Sequence, residues 1–250
     1  DSAYTYFHDF GFIPRIQTVD GKEVRGFKVV IGGGLGAQSY IAPVAYEFLE
    51  ADKIIPFIEA GLRVFDRYGE REKRFKARMK FLVDEKRGLG VRGFMELVEI
   101  ERKAIANKSY PIDTSLIEEA VIPELKAIPE VNIIDLEKYN HWLSTNVFEQ
   151  KQKGFYGVHI RLQLGNISAE KARALVKIID GYAADDLRVT VNQGLLLRFV
   201  RKEYFPYLFQ SFDEIGLAEP GFGTIADVTA CPGTDTCNLG VTNSTGAALE

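Results

Sequence analysis

Residues 154–219 follow two hydrophobic periodicities in an order that restricts the possible folds. The stretch GFYGVHIRLQLG alternates as a strand does, and SAEKARALVKIIDGYA has the pattern of an amphipathic helix for which Ser168 is a suitable N-cap. DDLRVTVNQGLLLRFV then predicts two strands separated at Asn192-Gln193-Gly194, and RKEYFPYLFQSFDEIGL predicts a second helix. The order β-α-β-β-α is most of a ferredoxin-like unit, so we expect an α+β fold.

The region before this unit begins with a predicted hairpin. Aromatic and β-branched runs, FGFIPRIQTV and VRGFKVVI, flank Asp20-Gly21, which is a strong turn signal. Helical periodicity follows in APVAYEFLEADKIIPFIEAGLRVFDRYG and ends at Gly69. We expect the apolar face of this helix at Ile54, Ile58, Leu62 and Phe65.

The next segment is rich in positive charge. EKRFKARMKFLVDEKRG and VRGFMELVEIERKAIAN predict two more helices, and residues 63–92 contain eleven of the 31 basic residues. Arg71, Arg74 and Arg78 are spaced to share one helix face. Such a face is either solvated or an anion site for a polycarboxylate cofactor or an acidic protein. Residues 107–153, interrupted by prolines, predict a connector of short helical pieces.

The hairpin runs into GGGLGA, which allows two interpretations. The letters fit a variant of the dinucleotide-binding fingerprint, in which a strand, a glycine turn and a helix N-terminus meet the pyrophosphate. That motif also requires a second parallel strand ending in an acidic residue ~20 positions on. Glu50 and Asp52 lie at that distance, but inside or between predicted helices. A tight turn for packing is the other interpretation.

The composition excludes several classes of function. The net charge is −4, with 31 Lys+Arg against 35 Asp+Glu, which gives no basis for a nucleic-acid or membrane-surface partner. No apolar run approaches the ~20 residues of a membrane helix, and DSAYTYFHDF has none of the features of a signal peptide. Two cysteines in 250 residues fit a reducing compartment, so we expect a cytoplasmic protein.

Both cysteines, Cys231 and Cys237, lie in DVTACPGTDTCNLGVTNSTG and are separated by Pro-Gly-Thr-Asp-Thr. Thiolates are the usual ligands of iron–sulfur clusters. The spacing alone is a weak signal, and a small disulfide or a chance pairing remains open.

In its sequence context this loop resembles the first cluster-binding cysteine loop of the siroheme-containing nitrite and sulfite reductases. DFGFIPRI…GKEVRGFKVVIGGGLG resembles the hairpin and glycine loop of that family's siroheme domain. GEREKRFKARMKFLVDEKRGLGVRGFMELVE resembles its arginine-rich helix and the helix after it, and LRVTVNQGLLLRFV its R-x-T-x-x-Q-x-L strand pair. These four motifs occur in the family's order.

The resemblance implies a division of the chain. Residues 1–107 would be part of a first siroheme domain of mixed α/β structure, residues 108–153 a connector and residues 154–219 a ferredoxin-like (βαββα) half-domain. Residues 220–250 would begin a second siroheme and 4Fe–4S domain. The chain would then be an internal fragment of a longer protein.

The resemblance also implies roles for individual residues. Cys231 and Cys237 would be two of four cluster ligands. Arg188 could equally form a structural ion pair. The residues expected to contact the siroheme are Gly32, Gly33, Gly34, Gly36, Arg188, Thr190 and Gln193.

The implied activity is a six-electron reduction of sulfite or nitrite, with ferredoxin or a similar small protein as electron donor. The family's C-x3-C pair and R-K-x-K segment are missing from this sequence. We therefore expect siroheme and the 4Fe–4S cluster in the full-length parent, and neither a stable cluster nor turnover in the fragment alone. Two alternatives are a dinucleotide-binding oxidoreductase that uses GGGLGA and a non-enzymatic scaffold related to the reductases.

Overall fold

The chain divides into two compact units, Asp1–Ile117 and Glu118–Glu250. The computed structural model describes residues 3–36, 38–113, 120–238 and 240–250.

The first unit is built on an antiparallel three-stranded sheet. Strands β1 (Phe10–Val19) and β2 (Lys22–Ile31) form the predicted hairpin. Asp20 and Gly21 have φ of 51° and 75°, the pair of left-handed residues that suits a two-residue hairpin turn. Strand β3 (Val44–Glu50) pairs with β2, so the prediction of a helix from Ala42 onward is wrong for this stretch. Pairing with β2 through Tyr46 and Leu49, a contact distant in sequence, decides the conformation.

Helices α1 (Ile54–Tyr68) and α3 (Gly90–Ala104) confirm two of the predicted helices. The buried face of α1 differs from the expected one, because Leu62 is 51% exposed. The core of this unit joins β2, α1 and α3 through Val29, Ile31, Phe57, Ala60, Val64, Phe94 and Val98.

The predicted arginine-rich helix is replaced by two short pieces. A 3₁₀ turn covers Arg74–Lys76, and helix α2 covers only Met79–Leu82. The chain then turns at Asp84, whose carboxylate accepts hydrogen bonds from the backbone N–H groups of Lys86 and Arg87. Arg71, Arg74 and Arg78 therefore do not share a helix face.

The second unit contains a four-stranded antiparallel sheet in the order β4-β5-β7-β6. The predicted β-α-β-β-α order is confirmed. Its elements are β5 (Tyr156–Ile160), α5 (Ala169–Ile179), β6 (Leu187–Val189), β7 (Leu195–Val200) and α6 (Phe205–Glu214). Ser168 caps α5 as predicted, because its Oγ accepts a hydrogen bond from Lys171 N at 3.2 Å.

Two elements of this unit precede the predicted pattern. Helix α4 (Leu136–Asn146) leads directly into strand β4 (Val147–Glu149), which pairs with β5 at the edge of the sheet. The sequence predicts only short helical pieces here. The core of the unit draws on α4, the sheet and the helices after it through Trp142, Val158, Ile160, Leu175, Leu197, Leu208, Phe209 and Phe212.

A last helix, α7 (Ser244–Leu249), follows the cysteine loop. Among the described residues, no helix has the length and apolar character needed to cross a membrane.

Candidate functional site

The cysteine loop presents two free thiols at the surface. Cys231 and Cys237 are both exposed, and neither is in a disulfide. A 3₁₀ turn at Gly233–Asp235 lies between them, and Cys237 N donates to Gly233 O at 2.9 Å. Gly233 has φ 55°, and a Cβ on it would collide with Ser244. The turn between the cysteines therefore requires glycine on both conformational and steric grounds.

Ser244 is the side chain that contacts Cys231. Its Oγ lies 3.6 Å from Cys231 Sγ and 2.8 Å from Cys231 O, and it can donate its one hydrogen to either acceptor. The hydrogen bond from Ser244 lowers the pKa of the Cys231 thiol, and the backbone N–H of Gly233 acts in the same direction. A lowered pKa favours the thiolate, which is the form that binds iron.

The donor set fits part of an iron–sulfur site. Two exposed thiols on one loop have the chemistry of cluster ligands, and a 4Fe–4S cluster takes four. Within the described ranges, no group of three or more His, Cys, Asp and Glu side chains is placed to hold a metal ion. Cys231 and Cys237 could therefore supply two ligands, and the others would come from elsewhere.

Gln193 holds the backbone immediately before Cys231. Its Nε2 donates to Ala230 O at 2.8 Å, and its Oε1 accepts from Ala230 N at 3.2 Å. The resemblance singles out Gln193 as a cofactor contact, which stays a prediction. The clamp on Ala230 is not visible in the sequence, because 37 residues separate the partners.

An ion pair between Arg161 and Asp227 also holds the loop in place, and neither residue was predicted from the sequence. The Asp227 carboxylate is 8% exposed and accepts from Arg161 Nε at 3.3 Å, from Asn192 Nδ2 at 3.3 Å and from Gly223 N at 3.0 Å. Arg161 also donates to the carbonyl groups of Pro220 and Ala226. The arginine at the end of β5 in HIRLQLG was the available signal, but nothing local identifies its partner.

The remaining predicted contacts on the β6–β7 hairpin have local partners. Arg188 Nε lies 3.2 Å from Asp186 Oδ2, so the structural ion pair that the sequence left open is formed. Thr190 Oγ1 accepts from Gly194 N at 3.2 Å and thereby braces the turn between the two strands. Roles for Arg188 and Thr190 toward a cofactor stay predictions.

The glycine run in the first unit packs closely against the protein itself. A Cβ on Gly32 would collide with Val83, and one on Gly33 with the backbone of Tyr6. A Cβ on Gly34 would lie 3.0 Å from Lys80 Cδ, whereas Gly36 has φ 103° and nothing within 4 Å among the described atoms. Close packing explains Gly32, Gly33 and Gly34, whereas Gly36 leaves room for another group among the described atoms.

The structure around the glycine run argues against the dinucleotide-binding alternative. The glycines are followed by β3, antiparallel to β2, and not by a helix whose N-terminus could meet a pyrophosphate. The final alanine of GGGLGA, Ala37, lies outside the described residues. The sequence match is therefore not supported by the strand–turn–helix geometry that the fingerprint needs.

Several basic side chains of residues 63–92 have acidic or carbonyl partners. Arg78 makes a bidentate contact with Asp9 at 3.1 Å, and Lys80 Nζ donates to Leu35 O and Gln38 O at 2.8 and 2.7 Å. Phe75, between Arg74 and Lys76 in the 3₁₀ turn, is 91% exposed. An anion site in this region stays a prediction.

Two family models match the chain. The nitrite and sulphite reductase 4Fe-4S domain matches residues 1–105, and the nitrite/sulfite reductase ferredoxin-like half domain matches residues 148–215.

Among curated proteins, the chloroplastic ferredoxin–nitrite reductase of Zea mays is 24% identical over 99% of this chain and 39% of its own length. The ferredoxin–nitrite reductase of Synechococcus elongatus is 27% identical over 96% of the chain and 41% of its own length. The sulfite reductase [NADPH] hemoprotein beta-component of Nitrobacter hamburgensis is 40% identical over 32% of the chain. The chain spans about two fifths of the length of the maize and cyanobacterial enzymes.

Among solved structures, the NirA protein of Mycobacterium tuberculosis superposes with a TM-score of 0.65 at 21% identity. The match covers 98% of this chain and 39% of the NirA chain. The likeness extends the α+β fold over both units.

Proposed function

The chain belongs to the nitrite and sulphite reductase family, and we propose that it serves a six-electron reduction of nitrite or sulfite that uses siroheme and a 4Fe–4S cluster. The observation that carries this proposal is the pair of free, exposed cysteines on one loop whose entry is clamped by hydrogen bonds. A matching 4Fe–4S domain model over residues 1–105 supports it.

Within this proposal the chain's own residues bind and orient. Cys231 and Cys237 hold two positions of the cluster, and the Ser244 hydroxyl stabilises the Cys231 thiolate. Gly36 leaves open space on the glycine run among the described atoms, which suits close approach of a large planar cofactor. When bound, the cluster and siroheme supply the electron transfer, and the protein supplies ligands, positive charge and protons.

The division of the chain follows from the same premise. We assign residues 1–107 to a siroheme domain, 108–153 to a connector, 154–219 to the half-domain and 220–250 to the start of a second siroheme and cluster domain. The family-model ranges, 1–105 and 148–215, support the first and third assignments.

Nitrite is the favoured substrate and ferredoxin the favoured donor. Relatives that align over nearly the whole chain are named ferredoxin–nitrite reductases, whereas the sulfite reductase component aligns over 32% of it. The two free cysteines fit a reducing compartment, and we assign the protein to the cytoplasm on that basis.

The test is a visible absorption spectrum of the full-length protein purified without oxygen, with assays of iron and acid-labile sulfide. We expect haem bands together with about four irons in a cluster, and donor-dependent consumption of nitrite exceeding that of sulfite. A colourless, iron-free protein after reconstitution with siroheme, iron and sulfide would contradict the proposal and leave a scaffold relative.

Substitutions in the cysteine loop test whether Cys231 and Cys237 bind the iron of the cluster. Cys231→Ser and Cys237→Ser should each lower the iron and sulfide content, because serine oxygen replaces a soft thiolate. Thr236→Ala is the matched control, since this residue lies beside Cys237 and its hydroxyl makes no hydrogen bond among the described residues. Equal iron content in all three variants would remove the loop from the cluster site.

A further inference from the structure

Gln193 combines an uncommon backbone conformation with a side-chain amide that is hydrogen-bonded at both its nitrogen and its oxygen. Its φ is 61°, in the left-handed region that non-glycine residues rarely adopt, and glutamine is not among the residue types enriched there. Such a conformation persists where the surroundings impose it, and it points to a role for the side chain.

The side chain of Gln193 is matched to a peptide unit. It donates to Ala230 O at 2.8 Å and accepts from Ala230 N at 3.2 Å, so one amide satisfies both polar groups of a single residue. Carboxylates lack the donor and ammonium groups lack the acceptor. The amide of glutamine carries both a donor and an acceptor and can therefore make this pair of hydrogen bonds.

A neighbouring contact fixes the same segment a short distance upstream. Asn192 Nδ2 donates to the buried Asp227 carboxylate, which also accepts a hydrogen bond from Arg161 Nε. The turn between β6 and β7 thus forms hydrogen bonds with Asp227 and Ala230, and Cys231 follows Ala230 directly in the chain. The backbone that sets the direction of the Cys231 side chain is held from the half-domain.

We propose that Gln193 is a positioning residue for the cluster site: its amide fixes the peptide backbone beside Cys231, and so holds that thiolate in the ligand position. The inference rests on the proposed function. Gln193 acts through the backbone of the loop, to which both of its hydrogen bonds go.

The test compares iron release from anaerobically purified full-length protein for wild type, Gln193→Gly and Gln193→Glu, with a colorimetric iron chelator. Glycine adopts φ 61° without strain, so Gln193→Gly removes the clamp while leaving the turn at least as stable. Glutamate keeps the length and the acceptor but sets a carboxylate against Ala230 O. Both variants should release iron about 10- to 100-fold faster, as is typical when a residue that orients a metal ligand is lost.

Two further readouts separate positioning from general stability. Hydrogen exchange at the Ala230 amide should accelerate in Gln193→Gly, while the urea midpoint followed by circular dichroism stays at or above the wild-type value. Gln210→Ala is the matched control, because within the described part of the chain its amide bonds only to Glu214 of α6. It should release iron at the wild-type rate.

Wild-type iron release in both Gln193 variants, from proteins that load a cluster normally, would overturn the inference and leave the proposed function intact. A fall in the urea midpoint that matches the gain in iron release would also overturn it, since the effect would then be unfolding. Wild-type protein that takes up no cluster on reconstitution would overturn the proposed function itself, and the inference with it.

Discussion

The imidazole of His159 is held between aromatic rings in the second unit. Its ring stacks on that of Phe222, with centroids 3.5 Å apart and planes 6° from parallel. The ring of Phe148 also contacts the imidazole, with centroids 5.2 Å apart. His159 is 9% exposed, and its Nδ1 is buried without a hydrogen-bond partner among the described atoms. Burial lowers the pKa of His159 from 6.5 to about 4, against an opposing effect of the Asp227 carboxylate.

The lowered pKa of His159 determines how the free energy of unfolding changes with pH. The folded pKa lies below the unfolded one, so between pH 6.5 and pH 4 the unfolded chain binds the proton more readily. The stability contributed by neutral His159 is therefore complete above pH 6.5 and is lost as the pH falls toward 4. Between pH 7.5 and pH 5 the loss amounts to about 2 kcal/mol in the free energy of unfolding, at 1.36 kcal/mol per pKa unit.

The chain's only tryptophan makes this effect measurable in the right unit. Trp142 is fully buried in the same core, so its fluorescence during urea unfolding reports the second unit. We expect wild type to lose about 2 kcal/mol more than His159→Phe between pH 7.5 and pH 5, since phenylalanine keeps the stacking and cannot titrate. His141→Gln, at an exposed position of α4, should behave as wild type. An equal loss in wild type and His159→Phe would refute the reasoning that burial sets this pKa.

Three other substitutions test features of the loops. Gly32→Ala should destabilise the first unit by about 2–4 kcal/mol in thermal unfolding, because φ is 72° and the new methyl group would collide with Val83. Gly36→Ala has strain alone and should cost about 1 kcal/mol, so equal shifts would argue against the collision. Ser244→Ala should slow alkylation of Cys231 at pH 7 in metal-free protein by raising the thiol pKa, and an unchanged rate would show that this hydroxyl has no effect.

The two units differ in how far their folds could be predicted from sequence. The β5-α5-β6-β7-α6 order was predictable because each element keeps its own hydrophobic period and is bounded by a turn or cap. Strand β3 was not, since no glycine or proline separates VAYEFLE from the start of α1 in the sequence and its conformation depends on pairing with β2. The arginine-rich segment has helical spacing, but the chain breaks it into short pieces.

The candidate site shows a similar limit. The cysteines could be singled out because they are the only two in the chain and lie in a motif that resembles a known loop. Two contacts hold the loop. Gln193 bonds to Ala230, which is 37 positions away in the sequence, and Arg161 bonds to Asp227, which is 66 positions away. No periodicity or local motif encodes such pairings, so only the folded chain reveals them.

Strand β4 has a consequence for how this architecture can be inherited. β4 lies before the β-α-β-β-α run and pairs with the outer side of β5, and α4, which leads into it, contributes Trp142 to the core. A gene duplication or recombination that carried only the run would deliver a copy in which the mostly buried β5 becomes the edge strand, a template for pairing with other chains, whereas here the short β4 takes that place. A copy that keeps this protection must also carry residues 136–149.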